Sequence, residues 1–150
     1  VNNPKLLSSI RNVDFGNGFY TTTDFNQAAS WSKSTASRRK SGSAIVSVYE
    51  IDDDEFNHLN VKCFKEPTAE WLDFVSENRK KVLYDNEFDM IMGPVANDNT
   101  MPVIDLYMQG FIDKDTAISR LMPQKLTDQV VFKTEKSISK LQFIESIDIV

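Results

Sequence analysis

The sequence has few of the residues from which several common kinds of protein site are built. Its 150 residues include one cysteine, Cys63, and one histidine, His58. One cysteine cannot form an internal disulfide, and one cysteine with one histidine cannot supply the usual nitrogen and sulfur ligands of zinc. A histidine-dependent nucleophile triad would have to use His58, and no motif of that kind surrounds it. We therefore expect no disulfide framework, no metal site and no Ser-His-Asp or Cys-His triad.

Long apolar runs and positive net charge are also absent. No apolar run is long enough to span a membrane, so we expect no membrane partner. With 17 basic and 22 acidic side chains the formal net charge is −5, which argues against general nucleic-acid binding. The length and the 41% of hydrophobic residues suit one domain, over residues 1–150. No signal peptide is recognisable and the first residue is Val1 rather than Met, so we expect a cytoplasmic protein trimmed at its N-terminus.

Short strands and helices alternate irregularly along the chain. Asp24 is placed to cap a helix that ends near Arg39. Gly93 and Pro94 are expected to end a buried strand that starts at Phe88. Further helices are predicted over 68–81, 101–109, 114–121 and, as a short turn, 135–140, and strands over 19–22, 44–51, 61–64, 88–92, 128–134 and 141–147. This order favours an α+β fold over a doubly wound sheet.

The stretch FGNGFYTTTD, residues 15–24, is the most suggestive local motif. Gly16 and Gly18 allow a tight turn or the close approach of a ligand to the backbone. Tyr20 follows on an extended segment, and Trp31 lies eleven residues later on the predicted helix. Two aromatic faces about 7 Å apart can hold a flat heterocycle between them. The alternative is an ordinary glycine turn followed by two core aromatic residues.

This stretch resembles the second motif of ADP-ribosyltransferases of the poly(ADP-ribose) polymerase and diphtheria-toxin type. Phe15, Gly16, Gly18 and Tyr20 match that motif, and Trp31 lies where its second aromatic residue belongs. The whole chain is similar to a bacterial family of unknown function assigned to that superfamily. Its blocks appear in order as DFGNGFYTTTDF, AEWLDFV followed by NR, FDMIMGPVANDN and DQVVFKTEKSI.

The resemblance implies a split β-sheet with flanking helices and a cleft that binds NAD as a substrate. Tyr20 corresponds to the tyrosine that stacks on nicotinamide, and Trp31 to the second aromatic residue. Gly16, Gly18 and Phe19 correspond to the cleft wall that binds the cofactor.

The resemblance also implies a third motif, for which DQVVF is the candidate. Counting from the strand aromatic places Asp128 opposite the catalytic glutamate of the family. Side-chain length and chemistry favour Gln129 instead, since glutamine replaces glutamate in related transferases. A glutamine keeps the hydrogen bonds to the ribose but lacks the charge that stabilises an oxocarbenium-like transition state.

The first motif of the superfamily, a His-Gly segment that anchors the adenosine side, is missing from these residues. We expect it several residues before Val1. The function implied is an NAD-dependent mono-ADP-ribosyltransferase that modifies a macromolecular acceptor, as a toxin or defence effector neutralised by an antitoxin partner. The alternative is a non-catalytic module that keeps the fold and binds a nucleotide or a protein.

Two polar segments have open interpretations. Asp89 and the loop over residues 93–99, with Asn97, Asp98 and Asn99, are candidates for a substrate loop beside the cleft. The alternative, which the residue types favour, is a structured turn in which Asn and Asp bond their own backbone. The basic run over residues 38–40 suits the negative end of a helix dipole, with a phosphate or RNA contact as the alternative.

Overall fold

The computed structural model describes residues 14–40, 42–80, 88–97, 99–124 and 126–150, and these form a mixed α+β fold. The strands are β1 (Phe19–Thr21), β2 (Ala44–Glu50), β3 (Val61–Cys63), β4 (Met90–Pro94), β5 (Asp128–Phe132) and β6 (Gln142–Ile149). The helices are α1 (Phe25–Arg39), α2 (Ala69–Lys80), α3 (Met101–Met108), α4 (Lys114–Leu121) and α5 (Glu135–Ile138), with a 3-10 helix at Asp53–His58. Within these ranges, no helix is both long enough and apolar enough to cross a membrane.

The described strands form two separate sheets. The larger has the order β1-β5-β4-β3, in which only the β3–β4 pair is parallel. The smaller is an antiparallel pair of β2 and β6, whose register shifts between Val48 and Tyr49. The α+β class expected from the sequence is thereby confirmed.

Alternation along the central strands divides the apolar side chains between the two faces of the larger sheet. Val131 packs on one face in a core cluster that includes Phe15 and Trp71. Val130 and Phe132 pack on the other face in a second, smaller cluster. Because successive strand residues point to opposite faces, the short strand β5 contributes side chains to both clusters.

Both predicted bounds of β4 were wrong, since the strand begins at Met90 rather than Phe88 and continues through Gly93 and Pro94. Gly93 pairs with Gln129, and Pro94 pairs with Asp128 at the last position of the ladder. A proline is tolerated at a strand end, because the ladder hydrogen bond that it cannot donate is not needed there. A Cβ at Gly93 would lie 3.1 Å from the ring of Phe15, so glycine permits the close packing of the core against this strand.

The carboxylate of Asp14 is hydrogen-bonded to three parts of the fold, namely the end of α2, the segment after β4, and β5. The side chain is 4% exposed. Its Oδ1 accepts hydrogen bonds from the Arg79 guanidinium at the end of α2, with Nε at 2.8 Å. Its Oδ2 accepts from the backbone N–H of Ala96 after β4, at 2.9 Å, and from Nε2 of Gln129 in β5, at 3.0 Å. A buried carboxylate needs several donors of this kind, and a single substitution disturbs all of them.

We predict that Asp14→Asn lowers the free energy of unfolding by about 2–3 kcal/mol, because the amide leaves the Arg79 charge unpaired and sets donor against donor at Gln129. Urea denaturation followed by circular dichroism measures this. The matched control is Glu70→Gln, which removes the partner of Lys62 at a position that is 65% exposed and should cost about 0.5 kcal/mol or less. Equal small losses in both variants would show that the Asp14 network adds no stability.

Asp89 makes a second polar junction, at the start of β4. Its Oδ2 accepts from the Asn60 N–H at 2.9 Å, and its Oδ1 from the Thr134 hydroxyl at 2.7 Å. Burial alone raises the pKa of this carboxyl. The two hydrogen bonds, with the nearby charge of Lys136, outweigh burial and lower the pKa below its usual value. The sequence interpretation of Asp89 as part of a substrate loop therefore has a structural alternative, a link between β3, β4 and α5.

The lowered pKa of Asp89 predicts a pH dependence of stability. The carboxylate stabilises the fold above the unfolded pKa of about 3.9, and this contribution is lost as the pH falls through the lower folded pKa. Asp89→Asn should therefore show a smaller loss of unfolding free energy than wild type on acidification. Urea titrations at a series of acidic pH values test this. Asp105→Asn, at an exposed position of α3 that makes no side-chain hydrogen bond to the described residues, should keep the wild-type profile.

Candidate functional site

A cavity of about 920 Å³ lies between the two sheets and is closed on one side by α1. Its walls come from β1, from the face of β4 and β5 that carries the second core cluster, and from the smaller sheet. The lining is mainly apolar and aromatic, with hydroxyl groups of Ser and Thr between the apolar side chains. This volume and chemistry are typical of sites that bind small molecules.

The helix α1 presents one face to the cavity along its whole length. It begins after Asp24, whose Oδ1 accepts from the Gln27 N–H at 2.8 Å, so the predicted cap is confirmed. The lining positions recur at helical spacing and are Asp24, Phe25, Ala28, Trp31, Ser32, Thr35, Ala36 and Arg39. The apolar side of a helix normally packs into a core, but α1 has no buried residue. Its apolar side forms one wall of the cavity instead.

Trp31 lies near the middle of this face and is partly exposed. Phe19, on β1, lines the same cavity and meets the ring of Tyr49 edge-on, with centroids 5.8 Å apart. Burial raises the pKa of the Tyr49 phenol, while the neighbouring Ser47 side chain acts in the opposite direction. The phenol is therefore neutral at pH 7, and this part of the wall offers aromatic rings without charge.

Tyr20 has a different environment from Trp31, although both residues line the cavity. Its ring packs against the first core cluster, whereas Phe19 beside it packs on the second. The Tyr20 hydroxyl donates to the carbonyl oxygen of Gly16 at 2.6 Å and accepts from the Phe15 N–H at 3.1 Å. The tyrosine therefore closes the glycine turn, and its role in stacking stays a prediction.

The two glycines of the motif are required by packing. Gly16 has φ +77°, and a Cβ there would lie 2.9 Å from Oδ1 of Asn78. A Cβ at Gly18 would lie 2.6 Å from Cγ1 of Val131, so this segment must pass very close to β5. Neither glycine is among the residues that line the cavity. The turn therefore positions β1 against β5. Of Gly16, Gly18 and Phe19, which the sequence predicted as the cleft wall, only Phe19 lines the cavity, and its side chain packs on the second core cluster.

Gln129 is buried, on the face of β5 away from Val130 and the second cluster. Its Nε2 donates to Asp14 and, at 3.3 Å, to the carbonyl oxygen of Pro94. It does not line the cavity. The structure therefore does not bring Gln129 together with Trp31, and its assignment as the third-motif residue stays a prediction.

Asp128, the other candidate for the third motif, is half-buried and, like Gln129, is not among the residues that line the cavity. Its Oδ1 accepts from the Thr22 hydroxyl and from the Thr23 N–H, both at 3.0 Å. Its Oδ2 accepts from the Thr23 hydroxyl at 2.7 Å. Both threonines line the cavity, so the carboxylate sits one residue behind the wall.

The polar loop after β4 forms a local turn in its described part. Oδ1 of Asn97 accepts from the backbone N–H groups of Asn99 and Thr100, each at 3.0 Å. The Thr100 hydroxyl donates back to the Asn97 carbonyl oxygen. This is the Asx-type turn that the alternative interpretation expected. Asp98 lies outside the described residues, and no cluster of three or more metal-ligating side chains occurs within them.

Two features of the site were missed from the sequence. The Asp14 network was missed because its partners Arg79, Ala96 and Gln129 are 65 to 115 residues away in sequence. The cavity face of α1 was missed because a stripe at helical spacing is equally typical of a core-facing helix. The one sequence signal for the Asp14 network was the presence of a charged residue just before the glycine turn.

A family model described as "Protein of unknown function (DUF3990)" matches residues 1–143. The four blocks quoted above, from DFGNGFYTTTDF to DQVVFKTEKSI, all lie within this match. The comparisons with curated proteins and with solved structures found no match. The chain therefore belongs to the DUF3990 family, whose function is unknown.

Proposed function

We propose that this domain is ADP-ribosyltransferase-like and binds NAD in the cavity between its two sheets. The single observation on which the proposal depends is the cavity itself. Its walls bring Trp31 of α1 and Phe19 of β1 to one space that is large enough for a dinucleotide portion. The motif resemblance and the separation of the strands into two sheets support the same proposal.

The chemistry proposed is cleavage of the bond between nicotinamide and ribose, followed by transfer of the ADP-ribosyl group to a macromolecular acceptor. The transition state resembles an oxocarbenium ion, as in glycoside hydrolysis. Trp31 holds the leaving nicotinamide by stacking. A carboxylate near the ribose stabilises the developing positive charge.

Asp128 is the better candidate for that role, because it has a carboxylate whereas Gln129 has a neutral amide. Asp128 is hydrogen-bonded to Thr22 and Thr23, which line the cavity, whereas the Gln129 amide bonds Asp14 in the buried network. In this proposal the Gln129 amide has a positioning role, since it holds β5 against the segment before the glycine turn. The hydrogen bonds of Asp128 to the cavity wall thus support its alignment with the catalytic glutamate, which was obtained by counting from the strand aromatic residue.

The second candidate function is a non-catalytic nucleotide- or protein-binding module. The observation that favours it is the bonding of Asp128, whose two oxygens accept three hydrogen bonds from Thr22 and Thr23. Three of the four acceptor positions of this carboxylate are therefore occupied, which leaves one for a ribose hydroxyl.

NAD binding is expected to change the fluorescence of Trp31. Stacking of nicotinamide should quench this tryptophan, while Trp71, which is fully buried and donates to the Pro94 carbonyl oxygen, should keep its emission. Titration of wild type and Trp31→Phe with NAD measures the effect. The variant should lose the NAD-dependent signal and keep its fold, because Trp31 is not a core residue. Quenching that persists in Trp31→Phe would place the ligand elsewhere.

Asp128→Asn is expected to reduce the release of nicotinamide from labelled NAD by about a hundredfold or more, because the charge beside the oxocarbenium ion is lost. NAD affinity should change little, since the amide keeps the size of the side chain. Thr23→Ala is the control, because it removes a hydrogen bond to the carboxylate and keeps the charge. Nicotinamide release that is unchanged in Asp128→Asn would contradict the assignment. NAD binding without any release in wild type would establish the non-catalytic module.

A further inference from the structure

The charges along the cavity face of α1 are confined to its two ends. Asp24 lies at the start of the helix, where its carboxylate is the N-cap. Arg39 is the last residue of the helix, and it is the only basic residue among the described residues that line the cavity. Between these ends the cavity wall of the helix is uncharged.

Arg39 differs from the arginine next to it. Nη2 of Arg38 approaches the hydroxyl of Thr35 at 3.4 Å, and Arg38 does not line the cavity. The Arg39 guanidinium has no hydrogen bond and no ion pair with any residue that the structure describes. Consecutive helix residues point about 100° apart, so the two guanidinium groups leave the helix in different directions.

The helix α1 carries a residue that can stack on a ring, Trp31, and one that can bind an anion, Arg39. Trp31 and Arg39 are eight residues apart, which is about 12 Å along the helix axis. The wall between them is made by the small side chains Ser32, Thr35 and Ala36. An elongated ligand with its ring at Trp31 can therefore lie along the helix, with its next groups within reach of the long arginine side chain.

We infer that Arg39 binds the phosphate group of the cavity ligand and so selects a nucleotide over a nucleoside. The inference rests on the proposed function in taking the cavity as the NAD site, and it adds the residue that recognises the diphosphate. The anion contact must come from the side chain, because the carbonyl groups at the C-terminal end of a helix repel negative charge. A guanidinium fork matches two phosphate oxygens, and Arg39 lies at an exposed end of the cavity wall where a diphosphate can reach it.

The test compares ligands with and without phosphate in two neighbouring variants. Isothermal titration calorimetry measures the affinity of wild type, Arg39→Gln and Arg38→Gln for NAD, ADP-ribose, ADP, flavin mononucleotide and nicotinamide riboside, at low and high salt. Arg39→Gln should weaken NAD and ADP-ribose by roughly ten- to a hundredfold. It should leave nicotinamide riboside unchanged and reduce the salt dependence of NAD binding. Arg38→Gln should bind every ligand as wild type does. Circular dichroism should show that both variants fold, since neither arginine is in the core.

The outcomes separate this inference from the proposed function. NAD binding that is equal in wild type and Arg39→Gln overturns the role of Arg39 and leaves the proposed function standing. Equal losses in Arg38→Gln, or an equal loss for nicotinamide riboside, also overturn it. If wild type fails to bind NAD but binds ADP or flavin mononucleotide through Arg39, the proposed function fails and the phosphate assignment stands. If none of these phosphate-bearing ligands binds, both fail.

Discussion

The arrangement of the larger sheet depends on the buried carboxylate of Asp14. It accepts hydrogen bonds from a helix end, from the loop after β4 and from the middle of the sheet at Gln129. These groups cannot be left unpaired in the interior without a large cost, so only one relative placement of the three elements satisfies them. The glycine turn follows Asp14 directly. Its path, and the entry of β1 beside β5, are set by the same interaction.

The two faces of the larger sheet consequently have different roles. One face holds the main core and the polar network, including the Tyr20 hydroxyl and the Gln129 amide. The other face, with Phe19, borders the cavity that α1 covers. Some residues that mark the family motif therefore maintain the fold, while Phe25, Trp31 and Arg39 of α1 face a ligand-sized space. This division explains why a motif match alone does not identify the residues that would contact NAD.

Elements with strong local signals were predicted well. The helix Lys114–Leu121 was found with the expected bounds, and the Asp24 cap starts α1 as its side chain indicates. Local rules succeed in such places because the deciding interactions lie within one helical turn. They failed at Gly93 and Pro94. These residue types usually end a strand, but pairing with β5 extends β4 through both of them. They also failed to distinguish a cavity wall from a core-facing helix, because both have the same periodicity.

The sequence by itself determined the α+β class, most of the helices and strands, and membership of a family through four ordered blocks. These features depend on residue types and on short-range spacing. Only the tertiary structure showed that Asp128 is hydrogen-bonded to threonines of the cavity wall while Gln129 joins the buried Asp14 network, and that Arg39 rather than Arg38 lines the cavity. Adjacent residues on a strand face opposite sides of the sheet, and adjacent residues on a helix point about 100° apart. Which of two neighbours reaches a site is therefore settled by the packing of distant elements.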